Sequence, residues 1–369
     1  MTIALAIMNF YDHGATRRDF RDLAQELVQR GHQVVILSRK WHAEMLPRIH
    51  HVKISASGIG KTGKLLAFGR KVRSYCRQNS VDALIAFSRI AGADFYYLGD
   101  HAMHLHAPHW SNYLSPDFWL GKYLERKLFA PSAKTGIFAL APGQIDFLTK
   151  KYHTPEKRLE LLPFGVPAES HRLKETDARF FRTSLREKYS ISDREKVLLM
   201  IGSGFRNKGV DRAVTALSYL SREHLQKIRL VVCGKGSVSK MDSLARHYNV
   251  RDRVIFAENI SRGALLSAAD MVLCLSRREF LEETPLESIS CGVPVAVTAA
   301  NEFNAFVEKN GGVVLPEPFE TRALAELLHR IAGEADFLDG LKQKAMALDP
   351  DCLYHRVENM ADRIEAGKK

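Results

Sequence analysis

Short apolar runs recur along the chain, each followed by a polar or glycine-bearing turn and then by a stretch whose apolar positions repeat every three to four residues. That alternation is what parallel strands buried on both faces, joined by amphipathic helices, produce. In the first half, residues 3–8, 33–38, 82–87 and 135–140 predict strands. A helix is expected over 17–30, with Phe20, Leu23, Ala24, Leu27 and Val28 on one face. In the second half, strands are expected at 196–201, 228–234, 254–257, 270–275, 293–298 and 311–315. Between and after them, helices are expected at 210–220, from about 239, 261–268, from 284 to a stop at Gly292, 321–332, 337–348 and 353–366. The run Pro163-Phe-Gly-Val-Pro167 breaks the pattern and sets a boundary between residues 1–166 and 167–352. A chain of 369 residues is long enough for two such domains, each with its own core.

Two stretches depart from the simple pattern. Residues 53–77 carry Lys61, Lys64, Arg70, Lys71, Arg73 and Arg77 around Leu65, Leu66, Phe68, Val72 and Tyr75. This is either a basic amphipathic helix for a membrane surface or an ordinary solvated face. Residues 110–134 mix Trp110, Tyr113, Phe118, Trp119, Tyr123 and Phe129 with Lys122, Arg126, Lys127 and Lys134. Aromatic rings and cations suit an interfacial segment, and the same rings suit a helix packed on the sheet.

Charge sharpens the first of these readings. The chain has a formal net charge of +12, a surplus that attracts phosphates, whether of nucleic acid, lipid headgroups or a phosphorylated substrate. No helix-turn-helix, zinc-finger or RNP-like pattern accompanies it, which points away from nucleic acid. No apolar run approaches the roughly 20 residues that cross a bilayer. The N-terminal residues fit a first strand better than a signal peptide, and a cytoplasmic location is expected. Five cysteines without C-x-x-C spacing predict free thiols in a reducing compartment. Four histidines between His101 and His109 invite a metal, yet no Cys or paired carboxylate completes a ligand set.

The candidate chemistry lies where strands give way to helices. After the first strand the loop lacks G-x-G-x-x-G, which argues against a dinucleotide oxidoreductase. It holds Gly14, Ala15, Arg18 and Asp19, which suit an anion or a sugar hydroxyl; an ordinary charged first helical turn has the same composition. Gly202-Ser-Gly-Phe-Arg206-Asn-Lys208-Gly209 opens a helix and can cradle phosphate, although it is not a Walker A loop. Further on, Glu279 and Glu287 bracket a helix start in which Thr284 is expected at the N-cap, Pro285 at the first helical position and Glu287 in a capping box. Read by itself, that stretch fits a plain capping box as well as a pair of acids at the sheet edge where ligands bind.

Glu279, seven intervening residues, Glu287, then Gly292-Val-Pro294 resembles the signature of retaining glycosyltransferases of family 4. The Gly14–Asp19 loop and the Gly202–Gly209 loop, in the same order, resemble the lipopolysaccharide core glucosyltransferase branch of that family. The resemblance implies a GT-B fold, two Rossmann-like domains facing across a cleft, with the last helix, about 353–369, packing back on the first domain. It implies a retaining, metal-independent hexosyltransferase that needs no cofactor and takes a nucleotide-sugar, with uridine as the expected base. The acceptor would be a lipid-linked core oligosaccharide, and the enzyme would sit peripherally on the anionic inner face of the cytoplasmic membrane. By resemblance, Glu279 lies beside the donor sugar, Glu287 on the ribose and Lys208 on the diphosphate, with Arg206 nearby. Gly14, Ala15, Asp19, Thr284, Pro285 and Leu286 would complete the donor site. Asp100 is carried over as a group near the reacting hydroxyls, with His101 and Arg18 on the acceptor side. The chain departs from the family in having Ala15 for a second Gly, Asn207 where an Arg precedes the Lys, and Phe280, Leu281, Glu282 and Glu283 where small residues and a Gly follow the first Glu. A non-catalytic sugar-nucleotide-binding relative and a basic nucleic-acid-binding protein are the alternatives.

Overall fold

The computed structural model describes residues 1–11, 14–44, 46–99, 115–166, 172–258, 260–277 and 281–367. The chain forms two compact units, Met1–Phe164 with His355–Lys369, and Gly165–Tyr354.

The first unit is built on seven parallel strands: β1 (Thr2–Tyr11), β2 (Gln33–His42), β3 (His50–Lys53), β4 (Ala83–Ala86), β5 (Phe95–Tyr97), β6 (Gly136–Ala139) and β7 (Leu159–Leu161). They run in the order β3-β2-β1-β4-β5-β6-β7, so the direction of winding reverses between β1 and β4. Ile3, Leu5, Ile36, Leu37 and Ile85 are buried in this sheet, as continuous apolar runs require when helices cover both faces. β1 and β2 extend several residues past their expected ends. Their tips are held by packing of rings rather than by alternation: Phe10 stacks on Trp41 at 4.0 Å, and Tyr11 on His42 at 5.0 Å.

Polar groups at their ends fix the helices of this unit. Helix Gly60–Gln78 starts under the carboxylate of Asp117, which accepts from the backbone N–H groups of Lys61 (3.0 Å) and Thr62 (3.2 Å). Helix Pro116–Phe129 ends on Arg158, whose buried guanidinium donates to the carbonyls of Leu128, Ala130 and Thr135 at 2.7–2.8 Å. The last helix, Arg356–Ala366, joins helix Ala15–Gln29 through Arg30–Asp362 (2.5 Å), and its Glu365 meets His32 (2.7 Å).

The second unit has six parallel strands: β8 (Lys196–Ile201), β9 (Ile228–Cys233), β10 (Val254–Ala257), β11 (Met271–Cys274), β12 (Val295–Thr298) and β13 (Gly312–Leu315). Their order is β10-β9-β8-β11-β12-β13, again with one reversal, between β8 and β11. Leu198, Met200, Leu230, Val232, Met271 and Leu273 form the centre of its core with Val214, Leu217, Leu324 and Leu328 from the covering helices. Helix Glu175–Lys188, which the apolar periodicity does not announce, is attached by charge instead. Arg182 and Arg186 both reach the carboxylate of Asp270, at 2.9 and 3.2 Å, and that carboxylate also accepts from the N–H of Val197. Among the described residues no helix is long and apolar enough to cross a membrane.

Candidate active site

In an open parallel sheet, ligands bind at the carboxyl ends of the strands where the winding reverses, because the loops there diverge and leave a crevice. In the second unit that point lies between β8 and β11. The loop leaving β8 carries Lys208, and the segment leaving β11 carries Glu282, Glu283, Thr284 and Glu287.

Glycine makes the β8 loop possible. Gly202 (φ 138°), Gly204 (φ 79°) and Gly209 (φ 78°) hold conformations that other residues avoid. The loop is layered on the one that leaves β9, since the N–H of Gly202 donates to Cys233 O (2.9 Å) and that of Gly204 to Lys235 O (2.7 Å). Lys208 folds back over Gly202, so closely that a Cβ there would lie 2.5 Å from its Cε. Its ammonium reaches Glu282 Oε1 at 2.8 Å, with the lysine side chain 14% exposed and the glutamate 4%. The other carboxylate oxygen accepts from Ser276 Oγ at 2.6 Å. Arg206 is exposed. Its backbone carbonyl accepts from Arg277, which also forms a two-pronged pair with Asp211 at 2.8 Å and so ties the β8 and β11 loops together.

Glu287 is buried and accepts from the Nε of Arg262, while Arg262 Nη2 donates to Thr284 Oγ1 at 2.9 Å. This corrects the expected capping box. Glu283 takes the N-cap place with helical backbone (φ −81°, ψ −12°), Thr284 is the first residue of helix Thr284–Ser290, and Pro285 is the second. The charge-assisted bond to Arg262 outcompetes the backbone N–H for the Glu287 carboxylate, and the Thr284 hydroxyl serves the same guanidinium. Pro285 and Leu286 are buried as well. Buried Cys274, at the end of β11, sits among these groups: burial pushes its thiol well up, Glu282 adds to the rise, and Lys208 and Arg262 oppose it.

In the first unit the reversal falls between β1 and β4, and helix Ala15–Gln29 begins beside it behind Gly14 (φ 93°). Asp19 is 2% exposed and accepts from Tyr97 Oη (2.5 Å), Arg356 Nη1 (2.9 Å) and Arg18 (2.8 Å). Burial raises its pKa, but Arg356, Arg18 and the Tyr97 bond together bring it below the usual carboxylate range. Arg18 is thereby held at the helix start, next to Gly14 and Ala15.

Glu279, Asp100 and His101, with the rest of the histidine cluster, lie outside the described residues. Sequence reasoning missed Glu282, Ser276, Arg262 and Arg277. Their partners stand 74, 6, 25 and 66 residues away, and no local pattern announces such pairs.

Two family models cover most of the chain: Glycosyltransferase Family 4 over residues 17–170 and Glycosyl transferases group 1 over residues 181–346. The lipopolysaccharide glucosyltransferase WaaG of Escherichia coli (strain K12) is 25% identical over 373 residues, covering 100% of this chain and 99% of its own. The crystal structure of WaaG, a glycosyltransferase involved in lipopolysaccharide biosynthesis, superposes with a TM-score of 0.85 at 25% identity, over 98% of this chain and 99% of that one. HepE of Anabaena, solved with UDP and glucose, has a TM-score of 0.74 at 16% identity, over 99% of this chain and 98% of its own, and shows the shared fold.

Proposed function

From the premise that this chain belongs to glycosyltransferase family 4 and has its GT-B fold, we propose that it moves a hexose from UDP to a lipopolysaccharide core oligosaccharide with retention of anomeric configuration. That it is a glycosyltransferase follows from the family; the sugar, the base, the acceptor and the stereochemistry are the proposal. One observation supports the residue assignments: Lys208, on the loop leaving β8, and Glu287, in the helix that follows β11, come from the two neighbouring strands at which the second sheet's winding reverses, and both act on the thiol of Cys274. The bond from the anomeric carbon to the diphosphate oxygen breaks as the acceptor hydroxyl oxygen bonds to that carbon; the diphosphate oxygen takes up negative charge, and the hydroxyl proton passes to the departing diphosphate. Lys208, supported by Arg206, is assigned to that charge, which is the electrostatic route to a lower barrier. Glu287 with Thr284, Pro285 and Leu286 is assigned to the nucleoside, and Glu279 to the sugar. Gly14 and Ala15 are assigned to the donor side, with Asp19 buried behind them as the group that holds Arg18 rather than as a donor contact; Arg18 and His101 are assigned to the acceptor side, and Asp100 to the reacting hydroxyls.

Calorimetric titration with nucleoside diphosphates and their sugars tests this assignment. Selective binding of a uridine nucleotide is expected, with Glu287→Ala weakening it about tenfold or more, the loss of a charge-assisted hydrogen bond. Nucleotide binding unchanged by that substitution would remove Glu287 from the site. Tight nucleotide binding with no turnover on any acceptor would favour the non-catalytic relative.

The membrane part of the proposal is supported on the first unit. A cavity of about 630 Å³ is lined by Arg73, Lys127, Lys134, Lys157, Arg158 and Arg363 against one acid, Asp94. A neighbouring cavity of about 450 Å³ shares Arg73 and Lys127 and is walled by Leu65, Leu66, Ile90 and Leu124. Helix Pro116–Phe129 divides the two readings of its sequence by face. Phe118, Leu124, Leu128 and Phe129 are buried, while Trp119 and Tyr123 are half exposed, with Lys122 and Lys127 over their rings. Cations, exposed rings and an apolar wall together fit anionic phospholipid at a surface. Flotation with phosphatidylglycerol vesicles should show binding that phosphatidylcholine vesicles lack. The double substitution Lys127→Glu, Lys134→Glu should weaken it at least about 30-fold, at roughly 1 kcal/mol per cation. Equal binding by the variant would place the membrane contact elsewhere.

A further inference from the structure

We infer that Glu282 is a built-in counterion which the donor's diphosphate must displace from Lys208, so that this one carboxylate sets how tightly the nucleotide is held and how readily the spent diphosphate leaves. The inference rests on the reading of Lys208 as the diphosphate cation.

Glu282 is fixed from three directions. Lys208 Nζ holds Oε1 at 2.8 Å, Ser276 Oγ holds Oε2 at 2.6 Å, and Asn301 Nδ2 donates to its backbone carbonyl at 3.3 Å. With 6% of the residue exposed, the carboxylate is not a solvated acid that happens to lie near a lysine. It presents to the ammonium what a phosphate would present: an anionic oxygen at charge-assisted hydrogen-bonding distance, in a place with little water to screen it. Ser276 and Asn301 keep it there, so Lys208 has its counterion before any substrate arrives.

A diphosphate approaching the carboxyl ends of β8 and β11 therefore meets two ion pairs. Lys208 is paired with Glu282 and Arg262 with Glu287, both pairs flanking Cys274. An ammonium has three protons and can serve two anions, but two like charges sharing it repel each other, and in a dry site that repulsion is large. Binding thus proceeds by a shift of Lys208 from the carboxylate toward the phosphate. After transfer, the same carboxylate is poised to take the lysine back, which favours release of the nucleoside diphosphate.

Glu282→Gln tests this, because the amide oxygen keeps the shape and an acceptor for Lys208 while removing the charge. Titration with UDP should show tighter binding by on the order of tenfold. In turnover, KM for the nucleotide-sugar should fall together with kcat as product release slows. On a Lys208→Gln background the same substitution should give no gain, since the competition is for that lysine. If Glu282→Gln binds UDP no more tightly than the parent, while Lys208→Gln weakens binding, the counterion role is overturned and the Lys208 assignment stands. If Lys208→Gln leaves UDP binding unchanged, the assignment of Lys208 falls and the inference with it. Should Glu282→Gln not fold, Glu282→Asp carries the test by drawing the charge back one methylene, and tighter UDP binding is again the expected result.

Discussion

Lys208→Met is expected to lower kcat/KM for sugar transfer by about 10²–10³-fold, the usual cost of removing one preorganised group from a developing anion. Met keeps most of the side-chain volume over Gly202 and loses the charge. Release of nucleoside diphosphate from the nucleotide-sugar, with a lipid-linked core oligosaccharide as acceptor, measures it. The substitution also strands the buried Glu282 carboxylate, at a stability cost of roughly 3–5 kcal/mol, so rate alone does not separate chemistry from folding. The double variant Lys208→Met, Glu282→Gln does: it removes both charges, and its melting temperature should return toward the parent's while the rate stays low. A rate that returns with stability would make Lys208 a structural residue. Gly202→Ala should act in the same direction, because its Cβ would lie 2.5 Å from Lys208 Cε and its φ of 138° is unfavourable for alanine.

The parts of the fold that hydrophobic contrast encodes were open to sequence reading. Residues 196–201 and 254–257 are strands at the expected bounds, because runs such as Val-Leu-Leu-Met bounded by charge and glycine have few alternatives in an α/β chain. Edge strands His50–Lys53 and Leu159–Leu161 were not, since half-exposed strands of three or four residues carry too little apolar signal. Helix Glu175–Lys188 was hidden for another reason: part of what it buries is arginine, held by Asp270 some 84 to 88 residues away. The site divides in the same manner. Glycine loops and the spacing of Glu279 and Glu287 are local patterns, the kind a sequence displays within one stretch. Glu282, one of three near-consecutive acids, looks like solvated surface until Ser276 and Lys208 are seen to close on it. The capping box failed because a distant guanidinium, Arg262, competes better for Glu287 than a nearby N–H.

Arg356→Met is expected to destabilise the first unit by up to about 3–5 kcal/mol, the cost of breaking a buried ion pair, less whatever Arg18 and Tyr97 still supply to Asp19. Arg356 is 1% exposed and Asp19 2%, and the pair, 2.9 Å apart, anchors the C-terminal helix to the start of helix Ala15–Gln29. Denaturant unfolding followed on parent and variant gives the difference. Adding Asp19→Asn to Arg356→Met should recover part of the loss, because the buried carboxylate that has lost its nearest buried guanidinium is then neutral. The pH dependence has a definite sign. The folded-state pKa of Asp19 lies below its unfolded value near 3.9, with burial raising it and Arg356, Arg18 and the Tyr97 bond lowering it further than burial lifts it. The stabilisation is therefore complete above the unfolded pKa and is lost as pH falls through the lower folded one. Removing Arg356 leaves burial and deletes the leading opposing charge, so the folded pKa rises and acid unfolding of the variant should begin at higher pH than in the parent. An unchanged acid limb would mean that Arg18 and Tyr97 suffice to hold the charge. In that case the C-terminal helix is kept in place by its surface pairs, Arg30–Asp362 and His32–Glu365.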